Sequence, residues 1–302
     1  MAETARSLDG EVASGIAETG AEGRTRPRPG EWVVVGIALA YAILLLFAPL
    51  AALARGALSR GVRAFFDALS TPDALSAIKL TFLLALGATA INTVFGVAAA
   101  WLLVRDRRFP GRRFVNGMVD LPFAVSPVIA GFMLIVLFGR TGWLAPLARA
   151  AGVKVLFAFP GMLIATTFIS LPFVIREIMP LLGEIGEEEE NAAYTLGAGR
   201  WRAFWSVTLP GIRSGLEYGV LLTFARAVGE VGAVLVVSGS IVVVAGNIPR
   251  RTLTSPVYVF GEVEAHNERG ASAMSVVLLA LSFGLLLLLD WRQRRRAEVL
   301  GG

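Results

Sequence analysis

Residues 187–210 read EEEENAAYTLGAGRWRAFWSVTLP. Four consecutive glutamates, Glu187 to Glu190, precede Ala192, Ala193 and Leu196, which puts negative charge at the amino end of a short helix with a small apolar face behind it. Gly197 and Gly199 then permit a sharp bend. Beyond it Trp201, Phe204 and Trp205 fall at i, i+3 and i+4, one face of a second short helix, and Pro210 opens the apolar run that follows. The meaning of such a polar island depends on what surrounds it.

Its surroundings are apolar. Of 302 residues, 55% are hydrophobic and 17% charged, and the mean hydropathy is +0.68. This is a membrane protein's balance, because a soluble chain of this size would spread its apolar residues by amphipathic periodicity. Here they collect into six runs, from about Trp32 to Leu53, Leu75 to Val104, Phe114 to Phe138, Phe157 to Ile178, Gly211 to Val237 and Ala271 to Leu289. Each is near or above the roughly 20 residues a helix needs to cross about 30 Å of hydrocarbon. Ile241 to Ala245 is too short for a seventh and reads as part of an external loop. Residues 1–30 are polar, with no apolar core before Trp32, and read as a disordered cytoplasmic tail. The expected architecture is therefore an all-α integral membrane domain of six transmembrane helices over residues 31–292, with a second cytoplasmic tail at 293–302.

No cysteine and a lone histidine, His266, remove disulfide frameworks, thiolate nucleophiles and histidine-rich metal sites. No catalytic residue and no metal ligand set is expected. In a soluble protein a pI near 10.2 would suggest nucleic acid, but in a membrane protein the placement of Lys and Arg decides, and no nucleic-acid partner is expected. With the amino terminus inside, 17 of the 28 Lys and Arg residues fall on the inside and 10 on the outside, leaving Arg226 in the fifth run. The excess places both termini, and the connection at 184–210, in the cytoplasm.

One reading of the island is an amphipathic segment lying on the membrane. Such helices normally carry a basic polar face, and the anionic cytoplasmic leaflet would repel Glu187 to Glu190. An acidic helix, small residues and a glycine bend suit docking into a protein groove instead. The stretch resembles the cytoplasmic loop motif of ABC importer permeases: Glu-Ala-Ala, three residues, Gly, nine residues, Ile, one residue, Leu-Pro. Ala192, Ala193, Gly197, Leu209 and Pro210 match at the family spacing, with Val207 at the Ile position. The family's glutamate falls on Asn191, beside Glu190. The resemblance implies that the loop contacts an ATPase subunit.

Two intramembrane stretches extend the resemblance. In LPFAVSPVIAGFMLIVLFG, residues 121–139, Pro122 and Pro127 interrupt a helix and free backbone groups, with the Ser126 hydroxyl near the break. This is either a packing kink or a broken helix lining a substrate path, where free N–H groups could meet an anion. In GVLLTFARAVGEVGAVLVVSG, residues 219–239, Arg226 and Glu230 share one helix face. They either neutralise each other or line an aqueous path.

Together these stretches are similar to the sulfate/thiosulfate, CysW-type branch of the permeases over roughly residues 30–290. Molybdate permeases share the Arg-Ala-x-Gly-Glu pattern at Arg226 to Glu230. The resemblance implies the type I, MetI-like permease fold in a bacterial inner membrane. It also implies a periplasmic or extracellular oxyanion-binding protein, a second, CysT-type permease completing a heterodimer, and ATP-binding subunits that carry ATP and Mg. No GxxxxGK[ST] phosphate loop occurs in this chain, so it is expected to hold no cofactor and to be no enzyme. Alternatives are a molybdate/tungstate permease, an ion-gradient-driven transporter or channel, and a membrane-embedded enzyme. A gradient-driven transporter would show inverted repeats or acidic relays, and Asp120 with Glu177 forms no catalytic constellation.

Overall fold

The computed structural model describes residues 29–106, 110–239 and 252–300, and among them every regular element is helical. The tail expected at 1–30 lies outside the described residues up to 28, and Ile241 to Ala245 lies outside them entirely. Fourteen α-helices are described: α1 Pro29–Leu58, α2 Val62–Leu69, α3 Pro72–Arg105, α4 Arg112–Ala124, α5 Pro127–Phe138, α6 Ala145–Ala150, α7 Phe159–Ile185, α8 Glu188–Thr195, α9 Arg200–Ala203, α10 Leu209–Gly211, α11 Arg213–Val228, α12 Gly232–Val237, α13 Ser255–Glu264 and α14 Glu268–Leu300. A π-helical turn, Phe204–Thr208, joins α9 to α10.

Four stretches are unbroken helices long and apolar enough to cross a bilayer: Trp32–Leu58, Pro72–Arg105, Phe159–Ile185 and Glu268–Arg292. They match the first, second, fourth and sixth runs, and they make the chain a multi-pass membrane protein. The other two runs are broken. The third is α4 and α5, bent by 114° at their junction. Pro122 does not cause that bend, for it lies buried inside α4. The chain turns at Val125 and Ser126, where Ser126 takes the extended conformation required before a proline and Pro127 starts α5 without an N–H to waste. The fifth run divides at Gly229 and Glu230 into α11 and α12.

The chain forms two compact units, residues 1–52 and 53–302. In the first, α1 exposes apolar side chains such as Val34, Ile37, Leu44 and Phe47, as a helix surrounded by lipid does. In the second, α3 and α11 pack along α7. A Cβ on Gly96 would stand 2.9 Å from Val174, and one on Gly219 would stand 3.1 Å from the Val174 Cα. Backbones therefore approach closely at one level of α7, the usual way helices associate in membranes. The core has a smaller cluster of Ala85, Ala227 and Val228 and two large apolar layers. One contains Leu103, Ile175, Ile178, Leu182 and Ile212, and the other Leu84, Met162, Ile169, Val234, Val257 and Met274. Between them the Asn92 amide donates to the Thr167 carbonyl at 3.0 Å and to Ser170 Oγ at 2.9 Å. α13, in a stretch where hydropathy marks no element, buries its first turn in the second layer.

Candidate functional site

The polar island folds as two short helices around a left-handed glycine. α8 ends when Gly197 takes φ +84°. Its N–H donates to the Tyr194 carbonyl at 3.0 Å, and the Ala198 N–H to the Ala193 carbonyl at 3.0 Å, the paired bonds of a Schellman ending. Nothing lies within 4 Å of a Cβ built there, so backbone conformation and not space calls for glycine. Gly199 has no such need, since its φ of −72° suits any residue.

The acidic run divides. Glu187, Glu188 and Glu189 are exposed, as are Asn191, Ala192, Leu196 and Gly197, while Ala193 is half-buried. Glu190 alone turns inward, the single buried residue of α8. Its Oε1 accepts from Arg105 Nε at 3.1 Å, from Arg105 Nη2 at 2.9 Å and from Thr208 Oγ1 at 2.8 Å. Arg105 is the last residue of α3, and its Nη1 also donates to the Leu182 carbonyl in α7 at 2.9 Å. The motif's glutamate position, held by Asn191, thus faces out, and the adjacent carboxylate fastens the loop to the bundle.

Trp201, Phe204 and Trp205 form one cluster with ring centroids 5.5 to 6.0 Å apart. They do so across α9 and the π turn and not on one regular helix. Phe204 and Leu209 pack on the apolar layer of Leu103 and Ile212, whereas Trp201 remains 72% exposed. Pro210 is also exposed.

The two broken runs meet at their breaks. A Cβ on Gly232 would stand 2.9 Å from Pro127 Cβ, and one on Gly131 would stand 2.8 Å from the Ala233 carbonyl oxygen. The structure so brings the Ser126–Pro127 break beside the Arg226–Glu230 break. Arg226 Nη1 donates to Glu230 Oε2 at 2.7 Å, and the other oxygen of Glu230 accepts the Ala233 N–H at 2.9 Å, closing the start of α12. Glu230 is 1% exposed and Arg226 30%, so the carboxylate is enclosed while the guanidinium keeps an open side. Ser126 is exposed, and its hydroxyl does not cap α5.

Among the ionic contacts that the sequence did not mark are Arg105 with Glu190 and Arg176 with Asp120. The second is a fork, with Arg176 Nε donating to Asp120 Oδ1 at 2.7 Å and Nη1 to Asn116 Oδ1 at 3.1 Å, joining α7 to α4. The available signal was an arginine within the apolar fourth run, which needs a partner. Among the described residues no group of three or more His, Asp or Glu could hold a metal ion.

Comparison with known proteins places this geometry. The family described as "Binding-protein-dependent transport system inner membrane component" matches residues 92–297. The chain is 44% identical over 265 residues to the sulfate transport system permease protein CysW of Synechocystis, covering 88% of this chain and 93% of that one. It is 38% identical to the CysW protein of Escherichia coli, covering 89% and 92%, and 40% identical to the CysT protein of Synechocystis, covering 87% and 88%. Among solved structures, a bacterial alginate ABC transporter in complex with a pentasaccharide-bound periplasmic protein superposes with a TM-score of 0.68 at 17% identity, covering 88% of this chain and 95% of that one, a likeness of fold alone. The broken spans, the helix–glycine–helix loop and these relatives agree: the chain belongs to the binding-protein-dependent transport system inner membrane components, in the CysW-type sulfate permease branch.

Proposed function

We propose that this chain is one of two permease subunits in an ATP-driven importer of sulfate or thiosulfate in the bacterial inner membrane, with both termini cytoplasmic. The observation that carries the proposal is the loop at 184–210: its outward face holds Asn191, Ala192, Leu196 and Gly197, and its inward face is fastened to the bundle through Glu190. An ATPase subunit, carrying ATP and Mg, docks on the outward face. A CysT-type permease completes the path, and a periplasmic or extracellular binding protein delivers the oxyanion. The likeness to the CysW and CysT permease proteins of sulfate transport systems supports this assignment.

Physically, nucleotide-driven approach of the ATPases displaces the loop, and the spans respond by moving between packed arrangements. The juncture of the two broken runs is the candidate path, with Ser126 on one side and Arg226 with Glu230 on the other. Arg226 offers positive charge on its open side, which suits a divalent oxyanion once that anion has lost water.

The test is labelled sulfate uptake in cells lacking this chain and in the same cells supplied with it, with molybdate as competitor. Uptake that depends on the chain and resists molybdate is the expected outcome. Uptake that molybdate abolishes at equal concentration would move the assignment to molybdate or tungstate.

A further inference from the structure

We infer that Arg105 is a positioning residue that makes α8 move with α3, and through Leu182 with α7, so that the loop's displacement reaches the spans through one buried carboxylate; this rests on the loop-docking reading above. Everything on α8 except Glu190 is exposed or half-exposed, so the helix has no apolar face seated in the bundle. Its attachment is ionic, with side chains 9% exposed at Arg105 and 6% at Glu190. Three donors converge on one oxygen, and they come from the end of α3 and from the π turn. The same guanidinium holds a carbonyl in the last turns of α7.

An apolar seat lets a helix slide, because its contacts have no direction. A planar guanidinium fork does not, for its donors lie in a fixed plane and lose their bonds when the acceptor leaves it. Thr208 adds a second direction from the π turn, where one extra residue rotates the hydroxyl towards Glu190. The two fix both the position and the tilt of α8.

The chain has no cysteine, so paired labels can be introduced without removing any. Glu189→Cys and Phe114→Cys provide exposed sites, one on α8 outside the docking residues named above and one on α4. Spin-label distances are measured in the complex assembled with its ATPase and partner permease subunits, with Arg105→Lys and with Thr208→Val. Lysine keeps the charge and loses the fork. The expected result is a broadened distance distribution in both variants, wider for Arg105→Lys. In proteoliposomes, the ATP hydrolysed per ion imported is expected to rise about fivefold or more for Arg105→Lys, the lower end of ordinary coupling energies. Unchanged distributions and an unchanged ratio would overturn the inference. Should Arg105→Lys fail to assemble, Thr208→Val decides alone: broadening supports the inference and an unchanged width rejects it. The distance measurement needs no substrate. A lack of sulfate uptake by the unsubstituted complex would therefore count against the proposed function and leave the labels to judge Arg105.

Discussion

Between Glu190 and Asn191 a single residue of helix rotation takes a side chain from the core to the surface. Four identical residues in a row carry no phase, so the sequence could mark an acidic helix start but not which carboxylate turns inward. The phase is set by Arg105, 85 positions away, and Thr208, 18 positions away. By contrast Arg226 and Glu230 were legible because their spacing is that of one helix face. Their prediction follows from burial. Arg226→Ala leaves a carboxylate 1% exposed without its cation, and removing one partner of a buried pair costs about 3–5 kcal/mol. The double substitution Arg226→Met with Glu230→Gln should cost clearly less. Thermal unfolding of the purified protein in detergent measures both, and equal losses would show that Glu230 does not depend on Arg226.

At the scale of elements, the breaks were legible and their positions only in part. Proline announces an interrupted span, yet Pro122 sits within α4 and the turn lies before Pro127. What distinguishes them is what precedes Pro127: Val125 and Ser126 leave the helical conformation, and Pro127 suits the first position of α5, where an N–H would have no partner within the helix. The crossing of α5 with α12 was not legible, because it depends on two glycines, Gly131 and Gly232, that the linear pattern does not relate. Gly131→Val would drive a Cβ to within 2.8 Å of the Ala233 carbonyl oxygen and of Val236 Cβ. Overpacking of this kind costs about 1–3 kcal/mol, and uptake should fall with it. Gly117→Val in α4, where nothing lies within 4 Å, is the control and should change unfolding by no more than about 0.5 kcal/mol.

For the whole molecule, the membrane class and the unbroken spans were readable because lipid imposes a requirement on each segment separately, namely enough apolar length. α13 escaped because its place depends on neighbours: Thr81 of α3 accepts the Ser255 N–H at 2.7 Å, and Met162 of α7 and Met274 of α14 share its apolar layer. Orientation was drawn from basic residues and makes a prediction of its own. Leu196→Cys and Trp143→Cys, at sites 88% and 89% exposed, should react with a membrane-impermeant maleimide from opposite faces of sealed vesicles, Leu196→Cys from the cytoplasmic face. Reaction of both from one face would reverse or break the topology. The hydrogen bonds of Asn92 bear on how such a bundle can move. Oily layers surrounded by lipid have little preference for one axial setting over another, whereas an amide parted from its acceptors finds no water to replace them. α3 and α7 are thereby keyed at the level of Ser170, free to rock about that pivot while translation along each other is held.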